Sequence, residues 1–239
     1  MSLLRKLFSI NNNKQTINKA DFSEGDIFYI HIDNQYHIYK LLFFEKDFEC
    51  YHVLSYEPLS VLPSEKDIDT LNIQIYHSPV DKNGFKGAAL LANRTITSED
   101  LIGYHEYLRQ TRPIEEYFPL ANGYYLNGLR LTDEKKHKEA IDSYSKAADL
   151  VPSFFEAIDN RAFCKMDLGL WLEAIEDFRQ SLSIHPGSLL AEFSIGECYF
   201  KTGDYAQAKH QFERANTLDP NAEAPKNFLK RVNAKLGIV

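Results

Sequence analysis

Three prolines, Pro152, Pro186 and Pro220, stand 34 residues apart in the second half of the chain. A fixed period of that size constrains the fold more than any other feature. Each period is one supersecondary unit that can bury its apolar face only against copies of itself. Other residues fall into register with the prolines. Ala140, Ala174 and Ala208 lie twelve positions before them, and Tyr144, Phe178 and Phe212 lie eight before. Ala147, Ser181 and Ala215 lie five before, and Gly128, Ala162 and Gly196 twenty-four before. The small columns let two helices approach closely, and the aromatic column fills the gap between them. Three helix pairs are predicted.

These columns resemble the tetratricopeptide repeat family, most fully in LLAEFSIGECYFKTGDYAQAKHQFERANTLDP (189–220). The first repeat covers 121–154 and the second 155–188. Asn127 and Arg161 depart from the family by replacing its usual leucine. Lys135 and His137 stand where it has a glycine and an aromatic. The resemblance implies a short right-handed superhelix. Its last pair needs a solvating cap, which EAPKNFLKRVNAKLG (223–237) suits: Phe228, Leu229, Val232 and Leu236 recur at helical spacing, with Lys226, Lys230, Arg231 and Lys235 on the remaining surface.

The resemblance also implies that function sits on a concave face lined by the first helix of each repeat. Carried over by register, that face holds Asn122, Tyr125 and Leu129 from the first repeat. The second gives Glu156, Asp159, Asn160, Phe163 and Asp167, and the third Leu190, Phe193, Ser194, Glu197 and Lys201. The family's clamp for a chaperone's C-terminal carboxylate needs Lys and Asn, then Asn, then Lys and Arg. Here those places hold Tyr125, Leu129, Asn160, Leu190 and Ser194, so only Asn160 matches. A free carboxylate wants cationic, fork-like donors, and binding of a chaperone tail in this manner is disfavoured. An acidic and aromatic lining suits a basic or mixed apolar protein segment. Equally, the acids are solvated surface and the groove is empty or covered by the N-terminal domain.

The first half is written differently. DIFYIHI (26–32), QYHIYKLLFF (35–44), FECYHVLS (48–55) and LNIQIYH (71–77) read as strands. Turn-formers separate them at Asp33-Asn34, Lys46-Asp47 and 58–69, and Asn83-Gly84 signals a further tight turn. Thr97-Ser98-Glu99-Asp100 opens a helix carrying Leu101, Ile102, His105 and Leu108 near one face, closed by Pro113. The fold class is therefore α+β: an antiparallel sheet or small barrel with a helix, then an all-α superhelix. The expected organisation is a flexible stretch at 1–19, an α+β domain at 20–110, a linker at 111–120 and the repeats with their cap at 121–239. FSEGDIFYIHIDNQYHIYKLL (22–42) also resembles the opening strands of small bacterial immunity proteins, which implies an inhibitor of a basic toxin or nuclease as the alternative function.

Composition narrows the chemistry. A net charge of −7 over 239 residues argues against general nucleic-acid binding. No stretch approaches the roughly 20 apolar residues of a membrane span, although Leu3, Leu4, Leu7 and Phe8 lie at the spacing of a short amphipathic turn. Three widely spaced cysteines, Cys50, Cys164 and Cys198, suit a reducing, cytoplasmic setting, and the last two share a repeat column where a small buried residue belongs. His31, His37, His52 and His77 all fall in strands without the spacing of a metal-ligand motif. Glu65, Asp67 and Asp69 read as loop acids. With no phosphate loop, nucleophile elbow or zincin motif, no cofactor and no metal are expected. The preferred reading is a non-enzymatic interaction protein, and an enzyme in the first half would need a deep pocket.

Overall fold

The computed structural model describes residues 21–238, which divide into two compact units between Arg112 and Pro113. The expected flexible stretch at 1–19 and the Leu3, Leu4, Leu7, Phe8 turn lie outside the described residues.

The first unit is an open antiparallel sheet of β1 (Asp26–Ile32), β2 (Gln35–Glu45), β3 (Cys50–Tyr56), β4 (Ile73–Asp81) and β5 (Ala89–Asn93), in the order β4-β3-β2-β1-β5. β1 and β2 form a hairpin through Asp33 and Asn34, both at positive φ (52° and 61°). That geometry matches the right-handed twist of the paired strands. One sheet face packs Phe28, Tyr39, Leu41, Tyr51, Val53 and Val80 with Phe22 and Phe85. The other receives helix α1 (Ile102–Thr111), seated so closely that a Cβ on Gly103 would meet the Tyr76 backbone at 2.8 Å. Thr97 and Asp100 cap the preceding turn reciprocally, Asp100 Oδ2 accepting from Thr97 N at 2.8 Å. The same carboxylate meets buried Lys40 Nζ at 2.6 Å.

Two local features differ from expectation. Asn83-Gly84 lies in a 3-10 turn, Lys82–Phe85, because Asp81 accepts from Asn83 N at 2.8 Å. The chain then leaves β4 and pairs with β1 instead of folding back. β5, reading ALLAN, escapes detection because alanine and leucine carry little strand preference.

The second unit stacks α2 (Ile114–Asp133), α3 (His137–Leu150), α4 (Phe155–Asp167), α5 (Trp171–Ile184), α6 (Leu189–Thr202), α7 (Tyr205–Leu218) and α8 (Glu223–Leu236). Each helix packs on the next in sequence, and α2 also touches α4. α2 begins inside the 111–120 stretch read as a linker: Pro113 takes the N-cap place and Glu115 and Glu116 favour the positive helix end. The small columns explain themselves. A Cβ on Gly128 would lie 2.5 Å from the Tyr144 ring, and one on Gly196 2.6 Å from the Phe212 ring. Cys164 and Cys198 are buried in their shared column.

Candidate functional site

The first helices α2, α4 and α6 set out the thirteen positions expected to line a groove, and their exposure divides them into three groups. Glu156, Asp167, Leu190 and Lys201 are exposed, Leu190 by 53 %. Asn122, Tyr125, Leu129, Asn160, Phe163, Phe193 and Glu197 are half-buried. Asp159 and Ser194 are buried. Ser194, 1 % exposed, therefore offers nothing at the surface, whereas Asp159 keeps 8 %. Its neighbours Ala191 and Ile195 anchor α6 between α5 and α7 and take that flank of the helix inward.

The half-buried aromatics among them are wedges between helices. Tyr125 packs on Tyr144 at 5.9 Å and Phe154 at 4.9 Å between centroids. Phe163 meets Phe178 edge-on at 5.1 Å, and Phe193 meets Phe212 at 5.4 Å and Phe228 at 5.3 Å. Asn160 Nδ2 donates to the Tyr125 hydroxyl at 3.4 Å and to Glu156 O at 2.8 Å, linking the first two repeats on this face.

The acids are not uniformly solvated. Burial raises the Asp159 carboxyl, Ser181 and His185 temper that rise, and Glu156 adds to it. Burial likewise raises Glu197, opposed by the charges of Lys201 and Arg231. Asp167 Oδ2 faces His137 Nδ1 at 3.6 Å across the first repeat boundary. Arg231 is exposed on the capping helix, as its spacing implies. The structure stacks its guanidinium over Phe228 (4.3 Å) and Phe200 (4.8 Å). The signal was present in the sequence: Arg231 follows Phe228 by three residues, one helical turn on the same face.

In the first unit, His52 and His77 converge and His31 and His37 stay apart from them. His52 is almost fully buried. Its Nε2 lies 3.1 Å from Glu45 Oε2 and its Nδ1 2.8 Å from His77 Nε2. Arg112 closes the chain on Glu45 Oε1 at 3.0 Å. With Glu45 accepting from His52, the neutral His52 ring accepts from His77. Tyr104 and Tyr107 of α1 cover both rings. Desolvation pushes His77 down to about 4, and lowers His52 against the pull of Glu45. Among the described residues no group of three or more His, Cys, Asp or Glu side chains is placed to hold a metal ion. Asp67 is an exposed loop residue accepting from Ser64 N and Oγ. No helix among the described residues is long and apolar enough to cross a membrane.

Comparison with known proteins adds three findings. Residues 165–231 match the family model described as Tetratricopeptide repeat. The human DnaJ homolog subfamily C member 7 is 31% identical over 139 residues, covering 58% of this chain and 26% of that protein. Hsp70-Hsp90 organizing protein 1 of Glycine max is 25% identical over 145 residues, covering 60% of this chain and 25% of that one. The chain thus spans about a quarter of the length of these curated relatives. Among solved structures, the first TPR of Spaghetti (RPAP3) bound to HSP90 peptide SRMEEVD is 26% identical, with a TM-score of 0.47. It covers 49% of this chain and 93% of that one. With three helix pairs in register, a capping helix and a family match that runs from the end of α4 into α8, the helical unit of this chain carries tetratricopeptide repeats.

Proposed function

We propose that the protein is a non-enzymatic adaptor whose first-helix face holds a segment of another protein, basic or mixed apolar in character. The observation that carries this reading is the composition of that face. Exposed Leu190 shares a repeat column with Glu156, exposed Lys201 shares another with Asp167, and Tyr125, Phe163 and Phe193 on the same helices are half-buried. An apolar floor with acids around it complements a segment that alternates apolar and cationic side chains. A cytoplasmic site of action fits three free thiols.

A second reading comes from the relatives, one of which is named for organising Hsp70 and Hsp90. It would place a chaperone tail in the same groove. The five clamp places speak against it: Asn160 is spent on Tyr125 and Glu156 O, Ser194 is buried, and Tyr125, Leu129 and Leu190 carry no charge.

Affinity capture with the full chain tests both. Because Phe163 and Phe193 are wedges, their removal would confuse binding with unfolding, so the exposed pair Leu190→Asp and Glu156→Lys is the better probe. Each should weaken the captured partner by about tenfold or more, the scale of a central contact. Peptide SRMEEVD serves as the competing arm. Binding of that peptide with its free carboxylate, lost on amidation and unaffected by Glu156→Lys, would replace the first reading with the second.

A further inference from the structure

Tyr125, Asp159 and Phe193 occupy one column of the three first helices, 34 residues apart. In the first and third repeats the ring wedges between the aromatic of its own pair and an aromatic that follows, Phe154 or Phe228. In the second repeat a carboxylate stands in that place. Asp159 is only 8 % exposed, and its Oδ1 has no hydrogen-bond partner. Ser181 Oγ favours the ionised carboxylate from nearby without closing a hydrogen bond of ordinary geometry on it, so a weak neutral contact is what this carboxylate has there. A buried carboxylate left this way disfavours the fold, and an aromatic like those of the flanking repeats would pack without that penalty.

The other charges around it do not cancel it. Glu156, one turn earlier on α4, is exposed and of the same sign, and the one basic group that acts on Asp159 is His185 at the end of α5. Arg161 and Lys165, on the same helix, are both committed to Asp177, at 2.8 and 2.7 Å. Among the described residues the other nearby cations are committed elsewhere, so a cation brought by a bound segment would complete Asp159 in its ionised form.

We propose that Asp159 is the specificity-determining residue of the groove and receives an arginine side chain from the bound segment. The guanidinium offers paired N–H donors, which match the two oxygens of a carboxylate, and it is more weakly hydrated than an ammonium and so easier to bury. Glu156 draws the cation in from solvent, and Phe163, one turn after Asp159 on α4, adds apolar surface. The inference rests on the groove reading above and names the chemistry that groove selects.

The test is a display selection of random 12-residue peptides on the full-length protein and on Asp159→Asn, followed by binding titrations of the individual winners. Wild-type winners should carry an arginine at a fixed place. Replacing it by citrulline, which keeps the shape and removes the charge, should weaken binding by about tenfold. In Asp159→Asn the arginine preference should vanish and the citrulline penalty fall below about twofold. Winners without a basic preference, or a penalty unchanged in Asp159→Asn, would overturn the assignment while leaving the groove reading intact. Absence of any winner would remove the groove reading and this inference with it. Carbon-13 titration of the wild-type Asp159 carboxyl keeps the test independent of the variant's folding. Its pKa should fall when the arginine peptide is added and stay still with the citrulline twin; an unchanged pKa with both would count against the proposal.

Discussion

Lys135 sits at φ 59° in the turn between α2 and α3, at the repeat position where Gly169 and Gly203 hold 76° and 84°. An L side chain in that left-handed region carries a penalty of about 1 kcal/mol or slightly more, which glycine avoids. Lys135→Gly should therefore stabilise the helical unit. Glycine's greater freedom in the unfolded chain returns part of the gain, leaving roughly 0.5–1 kcal/mol. A higher urea midpoint at unchanged slope would show it, and an unchanged or lower midpoint would mean that the turn tolerates lysine without strain. The sequence marked Lys135 as a departure from the repeat, because the glycine column was legible. It did not say that the backbone would keep the glycine conformation regardless. That follows from the helices on either side, whose packing fixes the turn.

Between paired helices the same logic runs through two columns sixteen residues apart. Where the family has leucine, Asn127 donates to Ser143 Oγ at 2.6 Å, and Arg161 grips both oxygens of buried Asp177 at 2.8 and 2.9 Å. In the third pair the aliphatic residue returns as Ile195, and the partner column carries Gln211, whose buried Oε1 has no hydrogen-bond partner. The polar departures are thus matched across the helix pair in two repeats and unmatched in the third. Arg161→Leu should destabilise by roughly 1–3 kcal/mol, since Lys165 still reaches Asp177 while two of its hydrogen bonds are lost. Gln211→Leu should go the other way by about 1 kcal/mol. Denaturant midpoints of the two variants check the pair of signs, and a loss in both would show that Gln211 is satisfied in solution. Asn127 and Arg161 were visible as exceptions in the sequence. Their compensation was not read there, because a column comparison made one position at a time does not ask what faces each exception across the pair.

Across the whole molecule, the two units differ in how their buried ionisable groups respond to acid. The first unit keeps His52 and His77 neutral beneath Tyr104 and Tyr107, with His77 held down to about 4 by burial and by the neighbouring His52. The unfolded chain binds a proton on His77 near pH 6.5, which the folded unit refuses until about 4. Stability of the first unit is therefore full above that window and falls as pH drops through it, by up to about 1.4 kcal/mol per pH unit for one proton. The second unit carries Asp159 and Glu197 with raised carboxyls, both from burial. For these the folded state takes up protons before the unfolded chain does, so acid relieves them and adds stability. The strand pattern placed the four histidines in the sheet, but which two would meet depended on register: the irregularity between Leu41 and Phe43 sets Phe43 opposite His52 under α1. Hydrogen exchange of the intact chain, read separately over 26–81 and 155–218, separates the two responses. Between pH 6.5 and 4.5 the sheet should lose protection, after correction for intrinsic exchange, while the repeats hold theirs. His77→Gln should flatten the pH dependence of the sheet and leave that of the repeats alone. A sheet that keeps its protection to pH 4.5, or a slope unmoved by His77→Gln, would mean that the histidine pair does not govern the acid response of the first unit.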